Sequence, residues 1–251
     1  MRKLLFIPFI IGVGISLYSC NVDEGRNLQT YTSPAIVDYK MEMGGTIICT
    51  RWGYFAAPSL TSSSEGDCLY IKEFTIDFDN QPSDKYYTAV NIDGENVDKS
   101  FIQHKDPSVL DEYTLPISAA DGDISVFYHG VFFTVANCMD KNPDFRLIYN
   151  LDEPEIDGTK NLYLQARPSS STPNLENVTK LYAFDMYNFI YNQGSDTSVL
   201  FTGYTEKIKC KYIKADLNYF TGISAEGKPE YKKVISVLNK PYDILIFDPN
   251  D

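Results

Sequence analysis

Beyond about residue 30, apolar side chains in this chain recur at every second residue almost everywhere, and no segment there carries a helical stripe over three turns. Leu69 and Ile71, then Phe74, Ile76 and Phe78, alternate with polar or small neighbours, and Ile208, Cys210 and Tyr212 alternate with lysines. A two-residue period places one set of side chains on one face of a pleated strand, so the chain is expected to be all-β. The phase slips at Lys72-Glu73. One extra residue marks a β-bulge, and a bulge bends a strand as the corner of a small barrel requires.

The alternation predicts strands at Thr46 to Cys49, behind the turn signal Gly44-Gly45, and at Lys85 to Ile92, closed by Asp93-Gly94. Asp121-Gly122 precedes the most apolar stretch after the first 20 residues, Ile124 to Ala136. Further strands are expected at Asp144 to Asn150, Asn161 to Ala166, Lys180 to Ile190, Ser198 to Tyr204, Glu206 to Tyr212, Lys232 to Leu238 and Tyr242 to Phe247. Short strands at such spacing, with turn residues between them, point to a sandwich or a barrel. Residues 93 to 123 are less regular, with Pro107, Pro116 and a short helix expected from Asp106 through Tyr113, and the irregularity centres on 95 to 123. A domain boundary is placed there, giving a small β-barrel over residues 31–100 and a β-sandwich over 120–251.

The N-terminus is of another kind. Arg2 and Lys3 precede an unbroken apolar run from Leu4 to Leu17, 14 residues against the roughly 20 needed to cross a bilayer. Residues 1–19 therefore read as a secretory signal peptide. The run ends in Leu17-Tyr18-Ser19-Cys20, which resembles a bacterial lipoprotein signal. That resemblance implies cleavage before Cys20, acylation of its sulfur, and a polar tether over residues 20–30. Several acyl chains hold a protein firmly, since each buried methylene contributes about 0.8 kcal/mol. Asn21-Val22-Asp23-Glu24 resembles the acidic export signal of Bacteroides-type lipoproteins, which implies display on the outer face of the outer membrane.

Composition narrows the partners. The chain has 22 Lys and Arg against 34 Asp and Glu, and loss of Arg2 and Lys3 with the signal makes it more acidic still. Nucleic acid is disfavoured, because its binding needs clustered cations that displace counterions. The 19 tyrosines and 15 phenylalanines suit strands, and tyrosine also stacks on sugar rings. Apart from Cys20, Cys49, Cys68, Cys138 and Cys210 allow two disulfides. Cys49 and Cys210 sit on apolar phases, which favours free buried thiols.

Pro34-Ala35-Ile36-Val37-Asp38, Gly66-Asp67-Cys68-Leu69-Tyr70-Ile71 and Leu162-Tyr163-Leu164, behind the lipoprotein signal, resemble segments of the NigD-like lipoproteins of Bacteroides-type bacteria. The resemblance implies a small OB-like barrel followed by a β-sandwich, in an accessory surface protein of no defined enzymatic activity. Members of that family carry a run of aspartates after the lipid cysteine, where this chain has Asp23-Glu24 only.

Chemistry-bearing motifs are sparse. His104 and His129 are the only histidines, and no nucleophile-elbow, zinc-helix or phosphate-loop pattern accompanies them. No catalytic residue, metal ligand or cofactor is expected. Asp77 and Asp79 share one strand face, which keeps open a glycoside hydrolase working with paired carboxylates. One cluster stands out: Arg51, Trp52, Tyr54 and Phe55, around Gly53. It reads either as a sugar- or peptide-binding loop or as a core plug. The expected function is a non-catalytic binding or assembly role on the outer membrane. The membrane is engaged through Cys20, and the partner is a glycan or a surface protein. A carbohydrate-binding module of a glycan-uptake system is the alternative.

Overall fold

The structure, a computed structural model, describes residues 27–83, 85–128, 130–169, 176–189, 209–235 and 242–248. Cys20, His129 and the strand expected at Ser198 to Tyr204 lie outside these residues.

Strands β1 (Leu28–Lys40), β2 (Gly45–Thr50), β3 (Gly53–Ala56), β4 (Cys68–Asp77) and β5 (Ala89–Asn96) form one sheet in the order β3-β2-β1-β4-β5. β1 is long enough to serve two neighbours: its first part pairs with β4, its second with β2, and only Ala35 and Ile36 pair with both. The bulge lies where the phase slips, since Tyr31 opposes Phe74 while Ser33 opposes Ile71. The curled sheet meets itself at one parallel bridge, Ala56 with Thr88, where the Ala56 amide donates to the Tyr87 carbonyl at 2.9 Å. This is the partly open five-stranded barrel of the OB type. Val37, Ile48, Phe55, Leu69, Ile71, Phe74 and Ile76 fill it.

The remaining strands are β6 (Lys99–Phe101), β7 (Gln103–His104), β8 (Ile117–Tyr128), β9 (Val131–Met139), β10 (Pro143–Tyr149), β11 (Thr159–Pro168), β12 (Asn177–Asp185), β13 (Lys209–Ile223), β14 (Pro229–Lys233) and β15 (Tyr242–Asp248). They build two sheets, β6-β12-β9-β8 and β14-β13-β11-β10-β7, with β15 also on β13. Their facing sides bury Phe132, Phe145, Leu147, Tyr149, Leu162, Leu164, Phe184 and Leu217 in one core, so the second unit is a sandwich. The first half of β9, from Val131 to Thr134, is buried on both faces. Phe132, Ala136 and Cys138 point into the sandwich, whereas Val131 and Phe133 join Ala183 of β12 against Ile36, Ile47, Cys49 and Cys68 on the outside of the barrel. Burial on both sides explains why this stretch reads as a near-continuous apolar run.

Several expectations need adjusting. Pairing begins at Leu28, inside the stretch expected as tether. Lys99–Phe101 already pairs in parallel with β12, and Gln103–His104 with β10, so the irregular section belongs to the sandwich. No helix forms at 106–113. The Asp106 carboxylate takes the Ser108 amide at 2.8 Å and closes a turn instead. Of the Asp-Gly pairs only Asp157-Gly158 makes a hairpin: both residues have positive φ, and Ile156 and Thr159 exchange backbone bonds of 3.2 and 2.9 Å. Asp93-Gly94 lies inside β5, at a register shift, where a Cβ on Gly94 would stand 3.4 Å from the Tyr70 carbonyl oxygen.

Cys49 and Cys68 each oppose Ile36, from either side. Two strand spacings therefore separate them, roughly 9.5 Å, beyond the reach of a disulfide. Burial pushes the Cys49 thiol up to about 12, and the Cys68 and Cys138 thiols up to about 11. Since the thiolate is the nucleophile, these three cysteines should resist iodoacetamide in the folded protein and alkylate once it is unfolded. Peptide mass spectrometry reads each site, and alkylation of Cys49 or Cys68 in folded protein would mean that the barrel–sandwich seam opens.

Candidate ligand groove

The loop from Phe78 to Thr88, between β4 and β5, must return to the sheet beside β3. Gln81 staples it: its Nε2 donates to the Asp77 carbonyl at 2.5 Å and its Oε1 accepts the Thr88 amide at 2.7 Å. Phe78 and Tyr87 then meet edge to face, 5.0 Å between ring centres. Across from this loop stands the β1–β2 turn, a single 3-10 turn at Met41–Met43 ending in Gly44, whose φ is +82°. A Cβ on Gly44 would lie 3.4 Å from the Tyr86 hydroxyl, so the turn and the loop nearly touch.

Between them an open-sided groove of about 920 Å³ crosses β3. Tyr54 forms its floor, Glu42 and Met43 one wall, and Phe78, Asp79, Gln81, Ser83, Lys85, Tyr86 and Tyr87 the other. Tyr54 and Tyr87 remain 46% and 48% exposed, with ring surface to offer a ligand. The Lys40 ammonium lies 4.3 Å from the centre of the Tyr54 ring. Burial, then Cys49 and Asp38, raise the Tyr54 hydroxyl above its ordinary value. Asp79 is held in place by the Asn27 amide, which donates to its Oδ2 at 2.7 Å.

The four residues singled out in the sequence are divided among three places. Phe55 is buried in the barrel against Phe74, ring centres 5.3 Å apart. Arg51 and Trp52 occupy the β2–β3 turn, where Thr50 accepts the Trp52 amide at 3.1 Å and donates to the Gly53 carbonyl at 3.0 Å. Trp52 is 52% exposed. Only Tyr54 reaches the groove. Its other aromatics, Phe78, Tyr86 and Tyr87, escaped the sequence reading, which spread them over two expected strands. The sign missed was Asp79-Asn80-Gln81-Pro82-Ser83, a run of turn formers. Asp77 is buried and Asp79 exposed, so the two carboxylates do not share a surface. His104 is exposed, its ring 5.5 Å from that of Tyr149. Among the described residues no three metal-ligating side chains cluster, and no helix is long and apolar enough to cross a membrane.

Residues 25–95 match the family described as Lipoprotein OB domain. Among solved structures, an uncharacterized protein from Parabacteroides merdae is 17% identical, with a TM-score of 0.57 over 81% of this chain and 96% of its own. A putative toxin-related protein from Parabacteroides distasonis is 16% identical, with a TM-score of 0.49 over 82% and 92%. A NigD-like immunity protein from Bacteroides caccae is 14% identical, with a TM-score of 0.46 over 86% and 97%. No curated protein matches. The chain thus resembles a lipoprotein OB domain in its barrel, and the Parabacteroides merdae protein shares its fold.

Proposed function

We propose that this chain, whose first unit is similar to a lipoprotein OB domain, is a non-catalytic surface lipoprotein that holds an oligosaccharide in the groove over β3. The observation that carries the reading is the pair of half-exposed rings, Tyr54 and Tyr87, flanking a groove between the β1–β2 turn and the β4–β5 loop. That is where OB barrels take oligonucleotides or oligosaccharides. A net charge of −12 speaks against the first. A pyranose suits the second: its C–H face packs on tyrosine, while its hydroxyls find the carboxylates of Glu42 and Asp79 and the ammonium of Lys85. Acylation of Cys20 and display on the outer face of the outer membrane complete the proposal, placing the groove among extracellular glycans.

Titration calorimetry against a panel of soluble polysaccharides tests it. Tyr54→Ala and Tyr87→Ala are each expected to weaken the best ligand about tenfold, about 1.4 kcal/mol. If no polysaccharide binds, or if both variants bind as wild type does, the glycan reading fails and the groove is left for a segment of a surface protein.

A further inference from the structure

We infer that the β2–β3 turn rests on the bilayer that holds the protein's own anchor, with Trp52 and Arg51 as its interfacial contacts. The inference depends on acylation of Cys20. Trp52 is the only tryptophan of the chain, and it is fixed rather than loose. Its indole N–H donates to the Thr32 carbonyl at 3.3 Å, and its ring stands 5.9 Å from that of Tyr31. With its one donor satisfied internally, Trp52 presents outward an apolar ring that is half in solvent. The Arg51 guanidinium lies 4.6 Å from that ring and makes no ion pair among the described residues. An apolar ring beside an unpaired guanidinium is the pairing that membrane interfaces favour: indole at headgroup depth, cation on lipid phosphate.

The start of the chain brings this turn within range. Cys20 lies seven residues before Asn27, a span of at most about 25 Å when extended. Thr32, which receives the indole, is five residues beyond Asn27, roughly 17 Å along the strand. Leu28, between the two, is also exposed. A body this acidic is repelled by an anionic lipid surface wherever its carboxylates face it, so an unpaired cation near the tether decides which end turns toward the membrane. The effect is one of orientation, since the acyl chains already supply the affinity.

Because Trp52 is the sole tryptophan, its fluorescence reports this contact alone. The acylated full-length protein is reconstituted in vesicles of phosphatidylethanolamine and phosphatidylglycerol, with and without brominated acyl chains. A blue shift of the emission and strong quenching by the brominated lipid are expected. Arg51→Glu should lose both while still floating with the vesicles. Flotation without shift or quenching overturns the contact and leaves the anchor standing. If Cys20 carries no acyl chain and the protein does not float, the anchor and the contact fall together. A shift produced by a soluble oligosaccharide, without vesicles, assigns Trp52 to the glycan and overturns the inference.

Discussion

Replacing Phe133 by alanine is expected to cost about 3–5 kcal/mol and to split thermal unfolding into two transitions. Phe133 is fully buried, yet it does not belong to the sandwich core. It projects from β9 toward the barrel and packs with Val131 and Ala183 against Ile36, Ile47, Cys49 and Cys68. Truncation leaves a void in an apolar cluster that both units share. Phe132 supplies the control, because it sits next door on the same strand and points the other way, into the sandwich. Phe132→Ala should cost a similar amount but lower one joint transition without dividing it. Scanning calorimetry distinguishes the two. A single transition in Phe133→Ala, lowered by less than about 1 kcal/mol, would mean that the units melt together for some other reason.

The neighbours Phe132 and Phe133 also show where a sequence stops being legible. Alternation identifies a strand because one face is wet. At the start of β9, from Val131 to Thr134, neither face is, so the run Ile124 to Ala136 gives no phase and no hint that a second unit covers it. The opposite failure occurs on β13. Ala215, Leu217 and Tyr219 line the sandwich core in regular alternation with Asp216 and Asn218, but the expected strand stops at Tyr212, short of this signal. Local chemistry is legible where the chain marks itself: the extra residue at Lys72-Glu73 breaks the alternation of its own strand, and Asp157-Gly158 turns between residues that bond each other directly. Asp93-Gly94 has the same composition but is paired with β4, and tertiary pairing overrides the turn. The groove was invisible for a related reason. Tyr54 and Tyr87 are 33 residues apart in the chain, and only closure of the barrel at Ala56 and Thr88 brings them to one surface.

Asp111→Ala is expected to destabilise the protein by about 3–5 kcal/mol, because it strands a buried cation. Alternation puts Arg146 on the outer face of β10, where solvent would be the simple expectation. Instead the β7–β8 loop covers it, leaving its side chain 4% exposed. Its guanidinium forks onto Asp111, Nη1 to Oδ2 at 2.7 Å and Nη2 to Oδ1 at 2.8 Å. Its Nε donates to Gln165 at 2.7 Å, and Tyr113 stacks beneath it, 3.8 Å from the ring centre. Burial alone would raise the Asp111 carboxyl. Hydrogen bonds from Arg146, the Tyr113 amide and Lys105 outweigh it and bring the carboxyl down to about 2. A folded value below the ordinary one near 4 means that the unfolded chain takes up the proton first. The stabilisation is therefore complete above roughly pH 4 and is lost as pH falls toward 2. Chemical denaturation of wild type and Asp111→Ala should show a stability gap that is constant near neutrality and narrows across that acid window. Asp111→Ala combined with Arg146→Met should recover much of the loss, since an apolar pair of similar volume needs no partner. If the double variant is no more stable than Asp111→Ala, the cost lies in the packing of the β7–β8 loop and not in the stranded charge.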